Sequence, residues 1–305
     1  MDSPVDRPIA AEVTEKIRAM GQTFTPEVLD ATYEIFKPLQ QRAPKDGVER
    51  VDDLAYGPHE RHRLDIFKPT GGTDGSAPVV IYFHGGGFVA GERSPLPGLI
   101  YDNVPTFFAR HGMIGVNATY RLAPEHKFPG GAADVGAAID WLVGNVAEHG
   151  GDPKRIYAMG QSAGASHVAA YTFIEAVHGA GGPANAGAIM LSGGYAPLDS
   201  DYTEGKPAPN QLAYYGEDLD TWDDMAPLYH IREGHPPVFL AAAELDPYPL
   251  AWPTAAMAGR LVRLNKRMPP VRRLTGHNHV SPAMQINSEV DTLGPELLDF
   301  INYSA

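Results

Sequence analysis

The chain has 305 residues, 43% of them hydrophobic and 20% charged, a length that suits one large α/β domain or two small ones. Its formal net charge of −13 argues against nucleic acid or an anionic membrane surface as the main partner, because phosphates would be repelled. There is no cysteine, which excludes a disulfide framework, a thiol nucleophile and a zinc–thiolate centre.

Residues 1–46 read as amphipathic helix with polar breaks, for example from Pro26 to Gln41, and carry no obvious chemistry. The first twenty residues lack the basic and apolar regions of a secretory signal. No run of the chain approaches ~18 uninterrupted apolar residues, so a cytoplasmic protein without stable membrane anchoring is expected.

From about residue 48 a strand–helix alternation begins. Residues 61–69 alternate like a strand with one wet face, whereas 77–85 form a continuous apolar run, as a strand buried on both faces should. Segments 113–122, 155–160, 186–194, 236–246 and 269–276 read the same way, with helical patterns over roughly 130–149, 163–178, 251–267 and 283–303. This order implies a mostly parallel sheet covered by helices on both faces. The stretch 195–235 breaks the rhythm and is rich in Tyr, Asp and Pro; a long insertion after a strand lies where ligands bind in such sheets.

Chemistry enters at Gly160-Gln161-Ser162-Ala163-Gly164, which ends a strand and opens a helix. This is a G-x-S-x-G turn, where flanking glycines leave room and a strained serine exposes its hydroxyl. The pattern also arises by chance in a Gly- and Ala-rich chain; the strand before it and the helix after it single it out. Upstream, His84-Gly85-Gly86-Gly87-Phe88 follows the strand 77–83. Backbone N–H groups of Gly85 and Gly86, with that of Ala163, are assigned as donors to an oxyanion, and His84 as a brace for the loop.

Hydrolases with this turn follow the chain order Ser, acid, His. The strand ending at Glu244-Leu245-Asp246-Pro247 offers two acids, of which Asp246, at the turn beyond the strand, is the better placed. Glu244 reads instead as a carboxylate that braces the loop or faces solvent. His277 and His279 both follow the last strand, and either can reach the serine; His279 sits nearer the next helix, where the loop has room to swing back. Such a set would let Ser162 attack an acyl carbonyl with the histidine as base and Asp246 as its orienter, active only while the imidazole is neutral.

Taken together, LDIFKP (64–69), HGGGF (84–88), YRLAPEHKFPGGAAD (120–134), GQSAGA (160–165), LDP (245–247) and HNH (277–279) resemble the hormone-sensitive-lipase-like branch of the α/β-hydrolase carboxylesterases. The resemblance spans about residues 60–280. It implies a single α/β-hydrolase domain over 1–305, with an eight-stranded sheet and a helical cap from about 1–46 and 195–235. It implies hydrolysis of short- to medium-chain or aryl carboxylic esters without cofactor or metal, and it supports Asp246 and His279 as partners of Ser162. Monomer and homodimer are both allowed.

Three positions depart from the family pattern. Gln161 stands where an Asp is usual, Ala165 where a second Gly is usual, and Asp246-Pro247-Tyr248-Pro249-Leu250 lacks the second acid of D-P-L-x-D. Gly276-His277-Asn278-His279 is closer to feruloyl-esterase-like and formamidase-like relatives, which keeps an arylformamidase-like amide hydrolase as the alternative, with a non-catalytic receptor of the same fold a remote third. Asp134 and Arg121 read as structural. Phe88, Tyr195, Tyr215 and Tyr248 are the candidate lining of an aromatic substrate pocket, with Tyr202, Tyr214, Trp222 and Trp252 near them.

Overall fold

A computed structural model describes residues 11–196 and 206–303. Parts of the expected cap, 1–10 and 197–205 with Tyr202, lie outside the described residues.

The first half of the sheet comprises β1 (Val48–Ala55), β2 (Arg63–Pro69), β3 (Ala77–Phe83) and β4 (Ile114–Ala118). The second half comprises β5 (Gly151–Gln161), β6 (Gly187–Leu191), β7 (Val238–Leu245) and β8 (Val271–Asn278). Among the described residues these form one eight-stranded sheet in the order β1-β2-β4-β3-β5-β6-β7-β8. The first two pairings are antiparallel and the rest parallel.

The helices are α1 (Ala11–Ala19), α2 (Pro26–Arg42), α3 (Asn103–Arg110), α4 (Gly130–Asn145), α5 (Ala163–Phe173) and the short α6 (Glu175–His178). They continue with α7 (Pro209–Tyr215), α8 (Tyr248–Asn265), α9 (Ser281–Met284) and α10 (Gly294–Tyr303). Among the described residues no helix is long and apolar enough to cross a membrane.

The continuous apolar runs explain how the layers assemble. Successive side chains of a strand point to opposite faces, so a run with no polar residue must be covered twice. In β3, Val79, Ile81 and Phe83 join one core with residues of α4, α5 and α8, such as Val135, Val168 and Leu261. Val80 and Tyr82 join the other core with Ile17 of α1, Phe36 of α2, Phe108 of α3 and Phe300 of α10. Each aliphatic or aromatic side chain so buried contributes about 1.5–3 kcal/mol relative to exposure.

Sequence patterning missed two elements. β1 carries Glu49, Arg50, Asp52 and Asp53 and is mostly exposed, because it is an edge strand, although Arg50 turns its guanidinium onto the buried Asp65 and Asp102. α3 lies in a segment without a clear period, although nearly all of it is buried. Two expected helices are interrupted. The helix from 163 stops at Phe173, where Ile174 turns extended before α6. The span 283–303 separates into α9 and α10, because Asp291 takes the amides of Leu293 and Gly294 at 2.9 and 2.7 Å and starts a new helix there.

Asp134 and Arg121 hold the mouth of the sheet together. Asp134, in the first half of α4, is 1% exposed. Its carboxylate accepts from the Arg121 amide at 2.7 Å and from the Arg121 guanidinium at 2.6 Å, and His62 stands 3.1 Å away on the turn before β2. Removing the carboxylate leaves a half-buried guanidinium and two backbone segments without their anchor. Asp134→Ala is expected to destabilise the fold by about 3 kcal/mol; chemical denaturation of the variant beside the wild type measures it, and a loss within 0.5 kcal/mol, about the effect of an ordinary surface change, contradicts the assignment.

Candidate active site

At the end of β5 the chain turns from strand to helix through one residue. Ser162 adopts φ 54° and ψ −123°, a left-handed conformation that costs a non-glycine residue about 1–3 kcal/mol and is held by its surroundings. The glycines beside it are required for clearance. A Cβ on Gly160 would lie 2.4 Å from the Gly164 backbone, and one on Gly164 would lie 2.2 Å from the Phe83 carbonyl oxygen. The Ser162 amide donates to the Leu191 carbonyl of β6 at 2.9 Å, which fixes the turn to the neighbouring strand.

The serine hydroxyl is 2.8 Å from His279 Nε2, and His279 Nδ1 is 2.8 Å from Asp246 Oδ1. Asp246 is fully buried. Its other oxygen accepts from the Ser192 hydroxyl and from the Ala243 amide, both at 2.7 Å. These oriented donors stand in for the water that a buried carboxylate has lost. Ser192 follows β6 as Ser162 follows β5, and it also has a positive φ, 50°.

His277 is elsewhere. It lies within β8, fully buried, with Nδ1 2.8 Å from the Ser281 hydroxyl and its ring stacked on Phe36. β8 runs to Asn278, so His277 is held within the strand with its ring against Phe36 of the helical layer, and His279 falls on the loop beyond. Glu244 is likewise outside the site. It accepts from the Gly276 amide at 2.6 Å and from Arg18 at 3.2 Å, and these partners, the Gly276 amide first, lower its pKa. It thereby braces the turn of β8 and pins α1.

The glycine loop lies on the opposite side of Ser162. A Cβ on Gly85 would stand 3.2 Å from Ser162 Cβ, so Gly85 is the point of contact with the turn. Gly86 has φ 140°, and a Cβ there would collide with the Ala90 carbonyl. Gly87 lines the cavity, as Ala163 does, whereas Gly85 and Gly86 do not. Among the described residues no acceptor takes the amides of Gly86 or Gly87. His84 is buried beneath the loop, with Nδ1 2.6 Å from the Gly85 carbonyl and its ring stacked on Tyr120.

Ser162 and His279 open into a cavity of about 590 Å³. Phe88 and Tyr215 line it, as expected, together with Trp252 and Leu250. Tyr195 and Tyr248, also expected there, do not. Tyr195 is fully buried in the core beneath the loop after β6, where its hydroxyl accepts from the Gly193 amide at 3.3 Å. Tyr248 is 44% exposed at the start of α8, where the helix turns Pro249, Leu250 and Trp252 to the cavity instead. Tyr214 and Trp222 are buried behind the wall, Tyr214 stacked on Phe88 at 4.4 Å.

Several site residues carried no signal in the sequence. The loop between α1 and α2, read as free of chemistry, supplies Gln22, Thr23, Phe24 and Thr25 to the cavity. Gln22 donates to the Asp246 carbonyl at 3.0 Å, and Phe24 sets its ring edge-on to His279 at 4.9 Å. From α7, Asn210 donates to the Gly87 carbonyl at 3.1 Å, tying the insertion to the glycine loop. Such contacts depend on segments far apart in the chain, and no local pattern encodes them. Among the described residues no group of three or more His, Asp or Glu side chains gathers to hold a metal ion.

Three histidines around the site are fully buried, and burial lowers their pKa values: His84 to about 4, His167 to about 3 and His277 to about 3. Each folded value lies below the ordinary 6.5. The unfolded chain therefore binds protons that the folded chain refuses, and stability is complete above pH ~6.5 and lost as pH falls toward ~4. The melting temperature is expected to drop through that window. His277→Asn should flatten the drop, and an unchanged slope would contradict the burial assigned to His277.

The alpha/beta hydrolase fold family matches residues 80–282. Carboxylesterase NlhH of Mycobacterium tuberculosis is 33% identical over 242 residues, covering 66% of this chain and 73% of that protein. Among solved structures, the hyperthermophilic esterase of Pyrobaculum calidifontis superposes with a TM-score of 0.72 over 98% of this chain and all of that one, at 21% identity. A bacterial heroin esterase does so with a TM-score of 0.71 over 98% of each chain, at 24% identity. At these identities the two structures speak to the fold, and the mycobacterial relative to the reaction. The chain belongs to the hormone-sensitive-lipase-like branch of the alpha/beta hydrolase family and is a carboxylic ester hydrolase.

Proposed function

We propose that Ser162, His279 and Asp246 are the nucleophile, the general base and the orienting acid of a carboxylesterase that works through an acyl-enzyme. The observation that carries this reading is the unbroken line of two 2.8 Å contacts from Ser162 Oγ through the imidazole to Asp246, opening on the cavity. In the first half-reaction the Ser162 hydroxyl proton passes to His279 Nε2 as Oγ bonds to the acyl carbon. The carbonyl oxygen becomes an oxyanion; as it collapses, the bond to the leaving alcohol breaks and the alcohol takes the proton from His279. Water then repeats the sequence on the acyl-enzyme with the same base.

The oxyanion needs two or three N–H donors beside the serine. Ala163 is one, since it opens α5 and lines the cavity. In the glycine loop, the cavity position of Gly87 and the close approach of Gly85 to Ser162 Cβ support Gly87 with its neighbour Gly86 over the pair Gly85 and Gly86. Gly85 then provides clearance against Ser162. Loss of one such donor typically costs ~2.7–4 kcal/mol in the transition state.

A cavity of about 590 Å³ lined by Phe88, Tyr215, Leu250 and Trp252 suits short- to medium-chain acyl groups or an aryl leaving group. We place the cap in the same single domain, from about 1–46 and 195–235, because Gln22–Thr25 and Asn210 from those segments stand in the cavity wall.

Ser162→Ala is expected to lower kcat for p-nitrophenyl acyl esters by at least ~10⁴-fold, and His279→Ala similarly. His277→Ala should leave kcat within a few-fold while lowering stability. Turnover by Ser162→Ala at the wild-type rate would sink the reading. Across acyl chains of graded length, kcat/KM is expected to peak at short to medium chains; a monotonic rise to long chains would contradict the size assigned to the cavity.

A further inference from the structure

The residue before the nucleophile, Gln161, is one of the departures from the family pattern, and its side chain is 1% exposed. It does not reach the cavity, and no step of the ester reaction uses it. Its Nε2 donates to the backbone carbonyl of His279 at 2.7 Å, a short and fully buried hydrogen bond. Its Oε1 takes a longer contact, 3.4 Å, from the Tyr82 hydroxyl of β3. The amide is therefore oriented, with its donor end toward the histidine.

We propose that Gln161 is a positioning residue that fixes the distance between nucleophile and base by holding His279 through its own carbonyl. This rests on the reading of Ser162 and His279 given above. Gln161 and Ser162 are adjacent in the chain, and the end of β5 fixes both. Ser162 holds the imidazole at Nε2, and Gln161 holds the backbone of the same residue. Three links, the peptide bond between Gln161 and Ser162 and the two hydrogen bonds to His279, close a ring around the reacting pair.

The neighbouring contacts on the His279 loop hold other atoms. Asn278 Oδ1 accepts from the Val280 and Ser281 amides at 3.3 and 3.2 Å, and Asn278 Nδ2 donates to Thr32 at 2.8 Å. Asp246 holds the ring at Nδ1 and makes no hydrogen bond to the His279 backbone among the described residues. A displacement near 1 Å between reacting groups costs up to about 100-fold in rate, so a backbone clamp at this point acts directly on kcat.

The chemistry of the clamp demands a donor. An ionised carboxylate has only lone pairs to present to a carbonyl oxygen, whereas an amide or a protonated carboxyl can donate. The titratable groups around Gln161 include Tyr82 from β3, with Tyr101 against it at 5.5 Å and Tyr33 of α2 and Tyr120 close enough to act on it, and His279 with Asp246 behind it. Burial raises the Tyr82 hydroxyl well above its ordinary range, so it stays neutral under assay conditions.

The test compares Gln161→Glu and Gln161→Met with the wild type across pH, as the ratio of variant to wild-type kcat on one p-nitrophenyl ester. For Gln161→Met, which fills the same space without a donor, kcat is expected to fall about 10-fold at every pH with KM within about two-fold. For Gln161→Glu the ratio is expected to be near one at acidic pH, where the carboxyl is protonated and donates, and to fall as pH rises. A wild-type kcat in Gln161→Met, or a ratio for Gln161→Glu that does not change with pH, would overturn the proposal. Should Gln161→Met fail to fold, the pH course of Gln161→Glu decides alone. Ser162→Ala is assayed beside them: if it keeps its activity the parent reading falls too, and if it is inactive a negative result removes only the role of Gln161.

Discussion

The turn at Ser162 allows the chain no alternative path. A strand buried on both faces ends, a helix begins, and a single residue with φ 54° joins them. Gly160 and Gly164 must approach to within contact of each other's backbone and of the end of β3, and any side chain at either position would force the layers apart. The strain is stored where β5 lies between β3 and β6 in the middle of the sheet, the part of the fold least able to relax. Because the serine cannot turn inward, its hydroxyl stands at the carboxyl end of the strands, and the rest of the site is assembled around that fixed point.

Neighbouring strands repeat the device. Gln161 of β5 is in register with Leu191 of β6, so Ser162 and Ser192 leave the sheet side by side, each with a positive φ. The Ser192 amide is bonded to Ala241 of β7 at 2.8 Å, and its hydroxyl turns to Asp246 at the end of that strand. The buried carboxylate is thus held by three successive strand ends, not by solvent. This is how a fully buried anion can stand beside a histidine without collapsing the site: its charge is matched by fixed dipoles before the substrate arrives.

The walls are made differently. Phe88 is stacked on Tyr214 and edged by His167 and Tyr215, so the aromatic side of the cavity is the outer surface of a packed cluster. Asn210 and the loop from Gln22 to Thr25 come from the insertion and from the N-terminal helices. These parts rest on the sheet but take no part in its hydrogen bonding, which separates the machinery common to the fold from the surfaces that meet the ester.

The sheet and the chemistry were legible in the sequence because each has a local cause. Apolar runs bounded by turns announce buried strands, and Gly160-Gln161-Ser162-Ala163-Gly164 announces the elbow through a steric requirement that acts within five residues. The position of Asp246 just beyond a strand was legible because Pro247 follows it at once, and the mostly exposed β1 was missed because its charges hide an edge. The choice between His277 and His279 was not local: it turned on β8 continuing to Asn278, which a parallel neighbour and the buried Phe36 decide. In the same way Tyr195 and Tyr248 were judged by neighbourhood in sequence, yet one is swallowed by the core and the other stands outside the cavity wall. Residue type and spacing determined which reaction this chain is equipped for; only the packing of distant segments determined which histidine faces the serine and which side chains form the walls, because those contacts are made across the fold and leave no period in the chain.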